Sequence, residues 1–127
     1  MNPVPKDRVF KTARFSKDAR KAKIRDQLLC DAIAHVMAGQ ANDLGGGVFK
    51  KRLNDNLHRS IILAKGAKYW ICEFLYAKKD RDNISDDELL TFRLLAKSYA
   101  MLTEPQVSQL LAGGDFLEIC NDIDDVL

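Results

Sequence analysis

Cationic side chains gather in three places along this 127-residue chain: Lys50, Lys51 and Arg52 in a row, Arg59 beside His58, and Lys78, Lys79 and Arg81. Side chains of this kind bind anions, and their spacing decides whether they act together. On an extended strand alternate side chains share a face, so Phe49, Lys51 and Leu53 point one way while Val48, Lys50 and Arg52 point the other. With Phe49 and Leu53 turned to a core, Lys50 and Arg52 face outward together, and Lys51 is expected to snorkel at an edge or bulge. A return hairpin brings His58 and Arg59 back towards Arg52, and the end of the next strand offers Tyr76, Lys78, Lys79 and Arg81. The pattern predicts cations from three strand segments on one surface, as a polyanion would require.

The charge distribution agrees. Net charge is only +2, yet residues 1–68 hold 15 Lys/Arg against 6 Asp/Glu, and residues 69–127 hold 5 against 12. Gly45, Gly46 and Gly47 invite comparison with a phosphate-binding loop, but such a loop needs a strand before it, a Gly-Lys-Ser/Thr end and a helix after it. Here a helix precedes and a strand follows, so the glycines are expected to form a turn with positive φ. Asp80, Asp82, Asp86, Asp87 and Glu88 surround a helix start, where the macrodipole favours negative charge, and helix capping is expected of them rather than metal binding. Cys30, Cys72 and Cys120 are odd in number and widely spaced, with no CxxC pair and only two histidines in the chain. Reduced packing cysteines are expected, with no disulfide and no zinc site.

The elements that must position these residues follow from periodicity. With 46% hydrophobic and 30% charged residues, the chain reads as one soluble domain over 1–127, with a flexible N-terminus at 1–8 and an acidic tail at 121–127. No apolar run approaches the roughly 20 residues needed to span a bilayer, and "MNPVPKDR" lacks an apolar leader, so a cytoplasmic protein without a membrane partner is expected. Arg8 to Phe15 suits a short strand. Leu28, Leu29, Ala32, Ile33, Val36 and Met37 make a helical stripe ending at Gly39, and a kink near Lys23 to Asp26 divides it from the charged helical segment at Lys17 to Lys23. Val48–Leu53, His58–Ala64 and Tyr69–Ala77 read as strands of an antiparallel meander joined by "NDN" and "KGAK", the last two apolar on both faces. Ser85 caps a helix with Glu88 three residues on and an Ile84–Leu89 staple; Thr103 and Gln106 repeat the logic, and Gly113–Gly114 ends that helix.

In this order the segments "LGGGVFKKRL", "HRSIILAKG" and "YWICEFLYAKKDRDNISDDEL" resemble the RelE/ParE toxin superfamily, specifically the RelE/HigB-like toxins of bacterial type II toxin–antitoxin systems, over roughly Phe10 to Cys120. The resemblance implies the α+β RelE-like microbial RNase fold: an antiparallel β-sheet of three to four strands, two N-terminal helices packed on one face, the basic surface on the other, and one or two C-terminal helices at the side. It implies a ribosome-dependent mRNA interferase that uses no metal or small-molecule cofactor. Its partners would be the ribosome, mRNA and a cognate antitoxin with a helix-turn-helix or ribbon-helix-helix DNA-binding domain. Lys50 and Arg52 match the family's two basic residues on its second strand, Arg59 the arginine opening the next, and Lys79 the basic position after the last. A tyrosine of the best-studied members is replaced by Ser85.

Metal-free RNA cleavage needs a base for the 2′-OH proton, cations for the extra charge on the phosphorane, and an acid for the leaving 5′ oxygen; the product is a 2′,3′-cyclic phosphate. Arg52 and Arg59 suit the phosphate and transition state. Lys50 and His58 compete as base, since an ordinary imidazole exchanges protons near neutrality. Lys79 or Lys78 would serve the leaving group or clamp the phosphate, and Lys51, Lys78 and Arg81 would hold RNA. Two alternatives remain on the same scaffold: a ParE-like toxin acting on DNA gyrase without nuclease activity, and a catalytically inactive RNA-binding relative.

Overall fold

The computed structural model describes residues 7–65 and 69–120. Thr12 ends the first strand, β1 (Arg8–Thr12), by capping the helix that follows. Its hydroxyl accepts the Phe15 N–H at 3.1 Å, so α1 (Ala13–Lys21) starts without a loop. Lys23, at φ +59°, then turns the chain into α2 (Asp26–Met37), at the expected kink. Four strands follow: β2 (Asn42–Gly45), β3 (Val48–Leu53), β4 (His58–Lys65) and β5 (Tyr69–Ala77). The chain closes with α3 (Asp86–Ala100), α4 (Glu104–Ala112) and β6 (Phe116–Ile119). Both expected capping boxes form, Ser85 with Glu88 and Thr103 with Gln106. Most of the "KGAK" connection, residues 1–6 of the N-terminal segment and the acidic tail at 121–127 lie outside the described residues.

The sheet corrects the expectation of three to four antiparallel strands. Its six strands lie in the order β2-β3-β4-β5-β1-β6, and β1 runs parallel to β5 while the other pairs are antiparallel. The two unexpected strands, β2 and β6, are four residues each, too short to show an alternation in sequence.

The placement of the C-terminal helices is a second correction. Phe15, Leu29, Ile33 and Val36 of α1 and α2 pack on Val9, Leu53, Ile62 and Cys72, as expected. The opposite face, however, is not an open basic surface. Leu89, Phe92 and Ala96 of α3 and Val107 of α4 bury Phe10, Ile61, Leu63 and Ile71 there. The reason lies in β4 and β5 themselves, whose Ile61, Ile62, Leu63 and Ile71 are buried alternately on both faces. Each such side chain contributes about 1.5–3 kcal/mol on burial, so an uncovered face would forfeit several of these terms.

The cysteines are a third correction. Cys30 of α2 and Cys120, just after β6, form a disulfide with Cα atoms 5.5 Å apart. Both lie in the core between the sheet and the N-terminal helices, which brings together residues 90 apart in sequence. Cys72 is a free, buried thiol whose pKa burial pushes up to about 12.

Candidate functional site

β3 alternates as its sequence requires, with Val48, Lys50 and Arg52 on the α3 side of the sheet. Registry sets Arg52 opposite Arg59 and Arg59 opposite Tyr76, a row of two cations and a phenol across β3, β4 and β5. The turn from β3 to β4 holds Asn54, Asp55 and Asn56 at φ +54°, +53° and +72°, a conformation that Asn and Asp tolerate better than other side chains. Arg59 closes this turn from beneath. Its Nη1 donates to the carbonyls of Asn56 at 3.0 Å and His58 at 3.2 Å, and the residue is only 7% exposed.

Lys50 reaches across to the segment before α3. Its Nζ donates to Asn83 Oδ1 at 3.3 Å, and Arg81 Nε donates to the Asn83 carbonyl at 3.1 Å. Arg81 also pairs with Glu88, whose Oε1 accepts the Ser85 N–H at 2.7 Å within the capping box. The Arg81 hydrogen bond, followed by that from the Ser85 backbone, lowers the Glu88 carboxyl pKa to about 2. One carboxylate thus caps α3 and neutralises a cation of the site.

The other expected residues fall elsewhere. His58 pairs with Leu53 and so points to the opposite face of the sheet, where its Nδ1 lies 3.2 Å from Asn54 Nδ2. Lys51 also points that way and donates to the Gln40 carbonyl at 3.0 Å. The single surface expected from the sequence is therefore two groups. Lys50, Lys51 and Arg52 border a small hollow of about 240 Å³ beside Gln40, while His58, Lys78, Lys79 and Arg81 line a cleft of about 1070 Å³. Asn83 joins the groups by accepting from both Lys50 and Arg81.

The larger cleft exists because β1 stops at Thr12. Its pairing with β5 ends at Lys11 and Cys72, so the rest of β5 meets α1 instead of a strand. A bulge at Glu73, where Ile61 faces Phe74 but Ile62 faces Cys72, re-aims the strand at the same point. Arg14 of α1 and Arg81 both lie over the Phe74 ring, at 5.1 and 5.8 Å, and Arg81 lies 5.4 Å from the Tyr76 ring centroid. Arg14 and Asn83 are not among the residues the sequence marks, whereas Tyr76 is, beside Lys78 and Lys79 at the end of its strand. The register that sets Tyr76 against Arg59 is fixed by the β4–β5 connection and the bulge at Glu73, which strand alternation alone does not reveal.

Among the described residues no three His, Cys, Asp or Glu side chains cluster as metal ligands, and no helix is long and apolar enough to cross a membrane. The model of one family, described as the RelE toxin of the RelE / RelB toxin-antitoxin system, matches residues 7–119. The chain belongs to the RelE toxin family. No curated protein and no solved structure matches it. As a RelE toxin it is one half of a toxin–antitoxin pair, and its six-stranded mixed sheet with four helices is compatible with the family fold while differing in strand count and helix placement.

Proposed function

We propose that this RelE toxin is a metal-independent endoribonuclease that cuts mRNA on the ribosome in the cytoplasm and is held inactive by its cognate antitoxin. The observation that carries the reading is the linkage, through Asn83, of the Lys50–Arg52–Arg59 row to a cleft that holds His58, Lys79 and Arg81.

In this reading the scissile phosphate enters the cleft and neighbouring phosphates lie along Lys50, Lys51 and Arg52. His58, with Nδ1 engaged by Asn54, takes the 2′-OH proton at Nε2. The 2′ oxygen attacks phosphorus, the bond to the 5′ oxygen breaks, and Lys79 protonates that oxygen. A 2′,3′-cyclic phosphate and a 5′-OH end result. Arg81 balances the charge on the phosphorane, and Lys78 holds the flanking strand. Arg59 acts through the turn whose carbonyls it holds, positioning His58 and adding its charge beneath the site.

Inducing the protein and mapping transcript 5′ ends tests this. Codon-phased cuts with 5′-OH ends that disappear in His58→Ala and weaken in Arg52→Ala are expected. Intact mRNA with accumulated gyrase–DNA breaks would overturn the reading in favour of a gyrase toxin, and intact mRNA without breaks in favour of an inactive RNA-binding relative.

A further inference from the structure

Tyr76 presents a hydroxyl that the fold does not use. Among the described residues its oxygen is the one side-chain polar atom that is shielded from solvent and has no hydrogen-bond partner. Leaving such a group unpaired is costly, and phenylalanine would fill the same space without that cost. Tyr76 as a whole is only 6% exposed, and it lines the large cleft. Its charged neighbours are Arg59, directly across the strand pair, Arg81 over its face, and Glu88. Two cations and one carboxylate surround an idle donor, and the carboxylate is already bound to one of the cations.

We propose that the Tyr76 hydroxyl donates a hydrogen bond to a non-bridging oxygen of an RNA phosphate, and that this phosphate enters by taking the place of the Glu88 carboxylate on Arg81. The inference rests on the reading of the cleft as an RNA site. Glu88 is the internal stand-in for the ligand: an oxyanion already held by the guanidinium above Tyr76. The exchange leaves the start of α3 intact, because Glu88 keeps the Ser85 N–H and Ser85 keeps the Glu88 N–H when Arg81 departs. Burial raises the Tyr76 pKa above the ordinary phenol value, more than Arg59 and Arg81 lower it, so the group acts as a donor and not as a base.

Two variants of the full chain test the proposal, read by thermal melting, by anisotropy with a 2′-O-methylated mixed-sequence oligonucleotide, and by cleavage of ribosome-bound mRNA. Tyr76→Phe should melt at or above the wild-type temperature, bind the oligonucleotide roughly tenfold more weakly and cleave about 10²-fold more slowly. Glu88→Gln, which retains a capping-box side chain, should bind several-fold more tightly because the competing charge is gone. A Tyr76→Phe protein that melts lower yet binds and cleaves as wild type would overturn the proposal, as would weaker binding by Glu88→Gln. If the wild type cuts no RNA but Tyr76→Phe still weakens oligonucleotide binding, the nuclease reading fails and the phosphate contact stands. If cleavage occurs but is indifferent to Tyr76→Phe, the contact fails and the nuclease reading stands.

Discussion

The two ends of the β3–β4 pair lie on the same side of one sheet and have opposite fates. At the glycine end Val48 and Leu63 are sealed beneath α3, with the Ala96 methyl 3.5 Å from where a Cβ on Gly47 would stand. At the hairpin end, beyond the start of α3, Arg59 faces Tyr76 of the cleft wall and Arg52 lies next to Arg59. The strands are continuous, so strand type does not separate core from site. The difference is made by where α3 begins, and that is set by the Ser85–Glu88 capping box. Each end also uses an arginine differently. Arg93 of α3 donates to the Leu44 and Gly45 carbonyls and clamps a structural turn, whereas Arg81 is held by a carboxylate that an anion can replace.

If the contrast is real, substitutions at the hairpin end should cost activity and those at the glycine end stability. His58→Ala is expected to lower cleavage by about 10²–10³-fold, equivalent to roughly 3–4 kcal/mol of transition-state stabilisation, while its melting temperature stays near wild type because the ring makes a single hydrogen-bond contact, with Asn54. Single-turnover cleavage beside a thermal melt checks this; a large melting shift would break the contrast. Val48→Ala should do the reverse, losing roughly 2 kcal/mol of stability in urea titration with cleavage retained at low temperature. Gly46→Ala should cost about 1–2 kcal/mol. Its φ of +66° disfavours a Cβ, which would also stand 2.8 Å from Arg93 Cγ. In that variant, Arg93→Ala removes the clash and should recover part of the loss.

The long elements were legible in the sequence because each carries its own periodicity or cap. Val48–Leu53 and Tyr69–Ala77 have the bounds expected of them, and the cap residues Ser85 and Thr103 act as read. What escaped depends on partners distant in the chain. β6 is four residues whose strand character comes from pairing with β1, and that pairing places Cys120, just beyond it, within reach of Cys30. The cover by α3 and α4 is implicit in two strands apolar on both faces, whereas grouping the cations by charge leaves one of those faces open. In the site, alternation correctly joined Lys50 with Arg52. It also puts His58 and Arg59 on opposite faces, a consequence that grouping by charge alone overlooks. Glu88 was read as a cap, which it is, but its bond to Arg81 needs the loop geometry between them.

The smallest expected effect separates two glutamates that line a smaller pocket of about 410 Å³, together with Phe74 and Arg81. Glu88 has a folded-state pKa near 2, below the ordinary glutamate value of about 4.3, so its ionised form favours the fold. That contribution is present above the ordinary value and is lost as pH falls towards 2. Glu73, half-buried at the β5 bulge, has its pKa raised by burial, and neither the Tyr99 hydroxyl at 2.7 Å nor nearby Arg14 fully offsets this. Its contribution has the opposite sign, being present below the ordinary value and lost as pH rises through the folded-state value. Glu88→Gln should therefore melt slightly lower than wild type at pH 7 and equal to it at pH 2. Glu73→Gln, which still accepts from Tyr99, should melt slightly higher at pH 7 and equal at pH 2. Shifts of a few degrees at most are expected, since the Glu88 side chain is about one-third exposed and solvent screens its pair with Arg81. Melting curves from pH 2 to 7 in which both variants move the same way would mean that the two carboxylates do not differ as their surroundings require. Opposite movement would locate the paired, exchangeable charge at Glu88 and the desolvated one at Glu73, within one pocket that Phe74 also lines.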